Sequence, residues 1–166
     1  MDGLTSIYRF EGVIKKAIQS LKYKYATEIV RELCGYYVPE IKNSAVFSTS
    51  QSCLLPIPIH WYRQNNRGFN QSVEVGRVVA NEMKWKFEPE LLIRNKSSIP
   101  QAGLSVKERK KNLRGAFSVS PNILVSQYPS ILLFDDVFTT GSTLHEACKV
   151  LKRNGVTKVW GMTIAR

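Results

Sequence analysis

Ile131-Leu132-Leu133-Phe134-Asp135-Asp136-Val137-Phe138-Thr139-Thr140-Gly141-Ser142-Thr143 is the stretch that decides the fold. Its four apolar residues read as a buried strand. Two carboxylates stand at the carboxyl end of that strand, and a hydroxyl-rich turn with one glycine then opens a helix. The first amides of a helix lack internal partners and carry partial positive charge, so they bind phosphate. Gly141 lets the backbone approach the anion closely. Thr139, Thr140, Ser142 and Thr143 add hydroxyl donors. Asp135 and Asp136 would repel the same phosphate, and they suit ribose hydroxyls or a hydrated Mg²⁺ instead. An anion site beside a carboxylate site describes a sugar phosphate. The P-loop pattern GxxxxGK[ST] is absent from the turn. A capped helix with no ligand would leave two adjacent carboxylates without a partner, which is costly.

Working outward, Cys53 to Ile59 is a short apolar run that reads as a strand, with prolines at its end. Val75, Val78, Val79 and Met83 fall on one face of a helix, and Leu91 to Ile93 reads as a short strand. After the central motif, Leu144, Ala147, Cys148 and Leu151 mark a helix that Gly155 is placed to end, and Val156 to Ile164 supplies a last strand. Near the start, Val13, Ile14, Ala17, Ile18 and Leu21 have helical spacing. A second helix holds Ile29, Val30 and Leu33 and is expected to stop before Pro39. Residues 1–40 thus read as an N-terminal helical segment. Strands separated by helices imply an α/β domain with a mainly parallel sheet flanked by helices. Ligands then sit beyond the carboxyl ends of the strands, at the loops after Ile59 and Phe134.

The chain has 166 residues and 43% hydrophobic content, enough for one domain (1–166) with a real core. No apolar run approaches the ~20 residues of a membrane span, and the first residues lack a secretory pattern. The three cysteines, Cys34, Cys53 and Cys148, form no CxxC pair. The expectation is a reduced, cytoplasmic domain without membrane insertion or structural zinc. The unusual quantity is charge: 24 Lys+Arg against 13 Asp+Glu gives +11. Such an excess attracts phosphates or anionic polymers. Residues 94–114 carry Arg94, Lys96, Lys107, Arg109, Lys110, Lys111 and Arg114 against the single acid Glu108. A small polyanion accounts for that share. Lys15, Lys16, Lys22, Lys24 and Arg153 lie elsewhere and keep a nucleic-acid reading open.

The central motif resembles the phosphoribosyl pyrophosphate (PRPP) signature of type I phosphoribosyltransferases. Pro56-Ile57-Pro58-Ile59-His60, Arg67-Gly68-Phe69-Asn70-Gln71-Ser72, Gln101-Ala102-Gly103-Leu104-Ser105, Glu108-Arg109, Asn112-Leu113-Arg114-Gly115-Ala116-Phe117 and Ala165-Arg166 look like the ComF competence-protein family. The resemblance runs in order from about Tyr8 to Arg166. It implies a single type I phosphoribosyltransferase-like domain. Asp135 and Asp136 would hold the ribose hydroxyls and Mg²⁺, possibly through water, and act in catalysis with Arg109. Thr139, Thr140, Gly141, Ser142 and Thr143 would cradle the 5-phosphate. His60, Arg63, Arg67 and Arg109 would meet the pyrophosphate. Residues 94–114 would form a mobile basic loop over the site. The plain alternatives are a solvated helix face over Lys107 to Arg114, an ordinary loop position for His60, and a simple entry into a helix at Arg67 to Gln71, with Asn70 near the cap and Phe69 as a packing anchor. His145 reads as a bland helix residue. Members of the family often carry an N-terminal cysteine-rich zinc module, and no cysteine precedes Cys34. Some purine salvage enzymes of this fold have an acid where Thr139 stands, which makes a hypoxanthine/guanine-type mechanism less attractive.

Three functions compete. The first is phosphoribosyl transfer from Mg²⁺-PRPP to an unknown nitrogenous acceptor, with release of pyrophosphate. The second is a non-catalytic, single-stranded-DNA-binding factor of the competence DNA-uptake machinery, with Trp61, Tyr62 and Phe69 as stacking rings among basic residues. The third is a PRPP sensor without catalysis. Related folds often form homodimers.

Overall fold

Why the chain folds as it does is clearest in its central sheet. The computed structural model describes residues 1–21, 26–43, 53–61, 65, 68–95 and 113–166. In chain order the elements are β1 (Gly3–Tyr8), α1 (Gly12–Ser20), α2 (Ala26–Lys42), β2 (Cys53–Pro56), α3 (Gln71–Met83), β3 (Lys86–Phe87), β4 (Leu92–Arg94), β5 (Phe117–Val119), β6 (Ser130–Val137), α4 (Ser142–Arg153) and β7 (Lys158–Ala165). Five strands pair in the order β1-β7-β6-β2-β3, every pair parallel. β4 and β5 form a separate antiparallel pair. This is the mixed α/β architecture expected.

Alternation along the strands builds two cores, because successive side chains point to opposite faces. Leu54, Leu132, Phe134, Met162 and Ile164 join Ile18, Leu33, Tyr37, Val75 and Val79 from the helices α1, α2 and α3. Leu55, Ile131, Leu133 and Val159 join Leu144, Ala147 and Leu151 of α4, with Leu92 and Phe117 of the small sheet. Each large side chain so buried contributes roughly 1.5–3 kcal/mol. Tyr37 also ties α2 to the sheet, its Oη donating to the Thr163 carbonyl at 3.0 Å.

Three expectations are corrected. The helix over Ile29 to Leu33 does not stop before Pro39, because α2 continues to Lys42 with Pro39 inside it. Burial of Tyr37, Val38 and Ile41 rewards the continuation. The first forty residues are not helical throughout, since Gly3–Tyr8 is an edge strand on β7. The strand near Leu91 to Ile93 lies outside the main sheet, paired with Phe117–Val119. The helix ending at Gly155 is as expected: α4 closes at Arg153, and Gly155 takes φ 94 just beyond.

Candidate functional site

The order of the strands locates the site. β2 leads through α3 to β3 on one side, while β6 leads through α4 to β7 on the other. The order in which strands are added therefore reverses between β2 and β6, and ligands collect at the carboxyl end of such a switch. β2 stops at Pro56, opposite Phe134, and the amide of Ile57 still donates to the Phe134 carbonyl at 2.8 Å. β6 runs on through Val137, held by β7 alone in the pairs Asp135–Thr163 and Val137–Ala165. The two carboxylates thus overhang the end of β2, above a cleft of about 440 Å³.

Asp135 is bound at one oxygen. Its Oδ1 accepts from Ser72 Oγ at 3.1 Å and from its neighbour's amide, Asp136 N, at 3.0 Å. Asp136 Oδ1 accepts from the Val137 amide at 2.7 Å. Burial pushes the Asp135 carboxyl far above the usual carboxylate range, to about 8, and the negative charge of Asp136 pushes the same way. The bonds from the Asp136 amide and Ser72, and the charge of Arg94, oppose that rise without cancelling it. Burial and the neighbouring charge thus favour the protonated form of Asp135, and a cation or ligand donors would oppose that.

The turn after β6 is built around Gly141, at φ 68. A Cβ there would meet the Phe138 ring at 2.5 Å and His145 Nδ1 at 3.2 Å. Phe138 anchors the start of the turn, its amide donating to the Ala165 carbonyl at 2.8 Å. Thr140 Oγ1 and Ser142 Oγ lie 2.9 Å apart. His145 serves this turn locally, its amide and its Nδ1 both reaching the Gly141 carbonyl, at 2.8 and 2.9 Å.

Among the expected site residues, Asp135, Asp136, Thr139 and Thr143 line one cleft. Thr140, Gly141 and Ser142 complete the turn behind them, with Gly141 and Ser142 buried. His60 is buried, its ring 5.4 Å from that of Trp61, and it is not among the described residues lining the cleft. Arg63, Arg67 and Arg109, with most of the 94–114 loop, lie outside the described residues. Asn70 caps α3, its Oδ1 accepting from the Ser72 amide at 3.0 Å, and Phe69 packs on the core.

Sequence reasoning missed the rest of the cleft's lining. Phe10, Ile18 and Gln19 come from the N-terminal segment, and Gln71 and Ser72 from the start of α3. Arg94, grouped by sequence with the basic loop, sits at the end of β4 and lines the cleft. The Gln71-Ser72 pair was visible only as part of a family-like motif, because its use depends on α3 starting beside β6. The three cysteines are buried and free, and burial pushes the Cys34 and Cys53 thiols to about 12. No described helix is long and apolar enough to cross a membrane.

Comparison with known proteins shows what the chain is similar to. The chain is 38% identical over 117 residues to competence protein F of Haemophilus influenzae, an alignment covering 68% of this chain and 50% of that protein. It is 28% identical over 158 residues to the DNA utilization protein YhgH of Escherichia coli, covering 94% of this chain and 68% of the relative. Competence protein ComFC of Bacillus subtilis is 24% identical over 150 residues. The chain resembles the ComF competence-protein family. It spans about half the length of the Haemophilus ComF relative. No family model matches the chain. An adenine phosphoribosyltransferase of Leishmania tarentolae has a remote structural likeness, with 12% identity and a TM-score of 0.43 over 83% of this chain and 56% of that one.

Proposed function

We propose that this ComF-like domain binds PRPP with Mg²⁺ and transfers its phosphoribosyl group to a nitrogen nucleophile in the cytoplasm. The observation that carries the reading is the overhang of β6. It sets Asp135 and Asp136 in the same cleft as Thr139 and Thr143 of the glycine turn. A 5-phosphate fits the first amides and hydroxyls of α4. The ribose 2- and 3-hydroxyls donate to the carboxylates. Arg94, also in the cleft, stabilises charge that builds on the leaving oxygen. His60, Arg63, Arg67 and Arg109 remain candidates at the pyrophosphate end.

The donor set fits a hard divalent cation, since Asp135, Asp136 and the nearby hydroxyls offer oxygen alone. The crowding that raises the proton affinity of Asp135 is what a cation there would relieve. Bound Mg²⁺ supplies positive charge to the departing pyrophosphate. In the transfer, a nitrogen lone pair forms a bond to the anomeric carbon, and the carbon–oxygen bond to pyrophosphate breaks with its electron pair on oxygen. The carboxylates orient the ribose ring for that displacement. Calorimetric titration of the chain with PRPP and Mg²⁺ tests the reading. Saturable binding that weakens at least tenfold in the Asp135→Asn, Asp136→Asn double variant is expected. An absence of saturable heat would refute it.

A second reading is supported by a separate cleft of about 630 Å³ between α4 and the segment leading into β5, where Arg114, Lys149 and Arg153 outnumber the one acid, Glu146, which pairs with Lys149 at 3.6 Å. With the names of the relatives, it favours contact with single-stranded DNA, as the charge of +11 does. Affinity for an oligonucleotide should then fall steeply with salt, and a flat salt response would exclude it.

A further inference from the structure

The cleft has two unlike kinds of lining. Asp135, Asp136, Thr139, Thr143 and Arg94 supply polar and charged groups, and Phe10, Ile18, Ile57, Ile59 and Val137 supply apolar surface. Among the described lining residues the charges are those of Asp135, Asp136 and Arg94. Gln71 also lines the cleft, and it is only 4% exposed. Its carboxamide Nε2 is buried and has no hydrogen-bond partner among the described residues. Buried donors are almost always paired, so an orphan beside a cleft calls for an account.

Gln71 is also held from both sides. Asn70 Nδ2 donates to the Ile57 carbonyl at 3.0 Å, and Ser72 Oγ donates to Asp135 at 3.1 Å. These bonds fix the backbone of residue 71 between the end of β2 and the carboxylate pair. An unpaired amide presented so firmly is arranged for a contact that the protein itself does not make.

We propose that Gln71 reads the acceptor. Its carboxamide donates to a carbonyl oxygen or ring nitrogen of an uncharged, planar nitrogen heterocycle lodged against Phe10, Ile57 and Ile59. This rests on the reading of the carboxylate pair and the glycine turn as a PRPP site. A carboxylated ring would bring a third negative charge into a cleft whose described lining holds two carboxylates against one cation, Arg94, and it is disfavoured for that reason. A site built to hydrogen-bond one polar edge rejects a ring lacking that edge, because its own donor is then left unpaired.

The test uses the 166-residue chain saturated with Mg²⁺ and ribose 5-phosphate, so that no turnover occurs. Uracil, hypoxanthine and nicotinamide are titrated against orotate and nicotinate, and PRPP is titrated separately. At least one uncharged ring should bind tenfold or more tighter than the carboxylated rings. Gln71→Leu should lose that preference and at least tenfold in ring affinity, while PRPP affinity stays within twofold and thermal stability is unchanged or raised. Gln71→Met, which keeps the chain length, carries the same test if the Leu variant does not fold. PRPP binding without binding of any ring overturns the role of Gln71 and leaves the PRPP reading standing. Equal losses of ring and PRPP affinity also overturn it, since the amide would then serve PRPP. Failure of PRPP itself to bind removes the reading beneath it.

Discussion

The hydroxyl of Ser72 donates to Asp135 Oδ1 at 3.1 Å, joining the first turn of α3 to the overhanging end of β6. That bond favours the ionised carboxylate, while burial and Asp136 favour the protonated one. Ser72 is therefore a positioning residue for Asp135. Ser72→Ala should weaken Mg²⁺-PRPP binding several-fold at pH 7, and raising the pH should recover part of the loss. A merely structural Ser72 would give a loss independent of pH. The folded protein should lose about 1 kcal/mol, the usual worth of one such bond. Calorimetry across pH and a urea titration measure both.

Asp135→Asn should separate stability from binding. The carboxyl of Asp135 has its folded-state pKa raised from 3.8 to about 8. The folded protein then binds this proton more tightly than the unfolded chain. The linked stability is present below the unfolded value and is lost as pH rises through the folded one. Wild type should lose stability from this group between about pH 4 and pH 8, relative to the variant. The melting temperature of Asp135→Asn should match wild type near pH 4 and exceed it by several degrees at pH 8, while the variant binds PRPP at least tenfold more weakly. Thermal melts at four pH values decide it; a variant less stable than wild type at pH 8 would remove the account of charge crowding.

Legibility in the sequence follows physical range. The strand through Phe134, the carboxylate pair and the glycine turn could be read because their chemistry is contiguous, and the turn's geometry is forced at Gly141 itself. The alternation at Leu54, Leu55, Leu132 and Leu133 that builds two cores likewise lies within single strands. Contacts such as Ser72 to Asp135, 63 residues apart in sequence, could not be read. They depend on where α3 starts relative to an overhang produced by the different lengths of β2 and β6. Gly3–Tyr8 was missed as a strand because its side chains are all only part-buried, so it lacks the apolar alternation that marks one. It is held instead by backbone pairing with β7 and by side-chain bonds to that distant strand such as Ser6 Oγ to Thr163 Oγ1 at 2.6 Å.

Pro39 shows local preference overruled by burial. Its ring removes the amide that would donate to the Gly35 carbonyl, yet α2 continues, and the Asn43 amide donates to the Pro39 carbonyl at 3.0 Å. Pro39 itself is exposed. Pro39→Ala should restore one helical bond without disturbing the core, and it should stabilise the protein by on the order of 1 kcal/mol. PRPP binding should be unchanged, because the substitution lies outside the cleft. Chemical denaturation checks this, and a loss of stability would show that the proline geometry is required by the packing of Tyr37 and Val38.

Gly141→Ala should damage the phosphate turn twice over. Residue 141 has φ 68, a conformation that costs a side-chain-bearing residue on the order of 1–3 kcal/mol. The added methyl would also lie 2.5 and 2.7 Å from two carbons of the Phe138 ring. Phe138 has little freedom to retreat, since its amide is bonded to Ala165 at 2.8 Å and its ring packs on the core beneath α4. The strain must then pass into the turn, moving the first amides of α4 away from the position where a phosphate would meet them. Stability should fall by about 2 kcal/mol or more, and Mg²⁺-PRPP affinity should fall further than that of a conservative Thr143→Ser variant. Inorganic phosphate, which needs the turn but not the carboxylates, should lose affinity in parallel. If phosphate binding survives Gly141→Ala while PRPP binding is lost, the anion lies elsewhere in the cleft and the assignment of the turn is wrong.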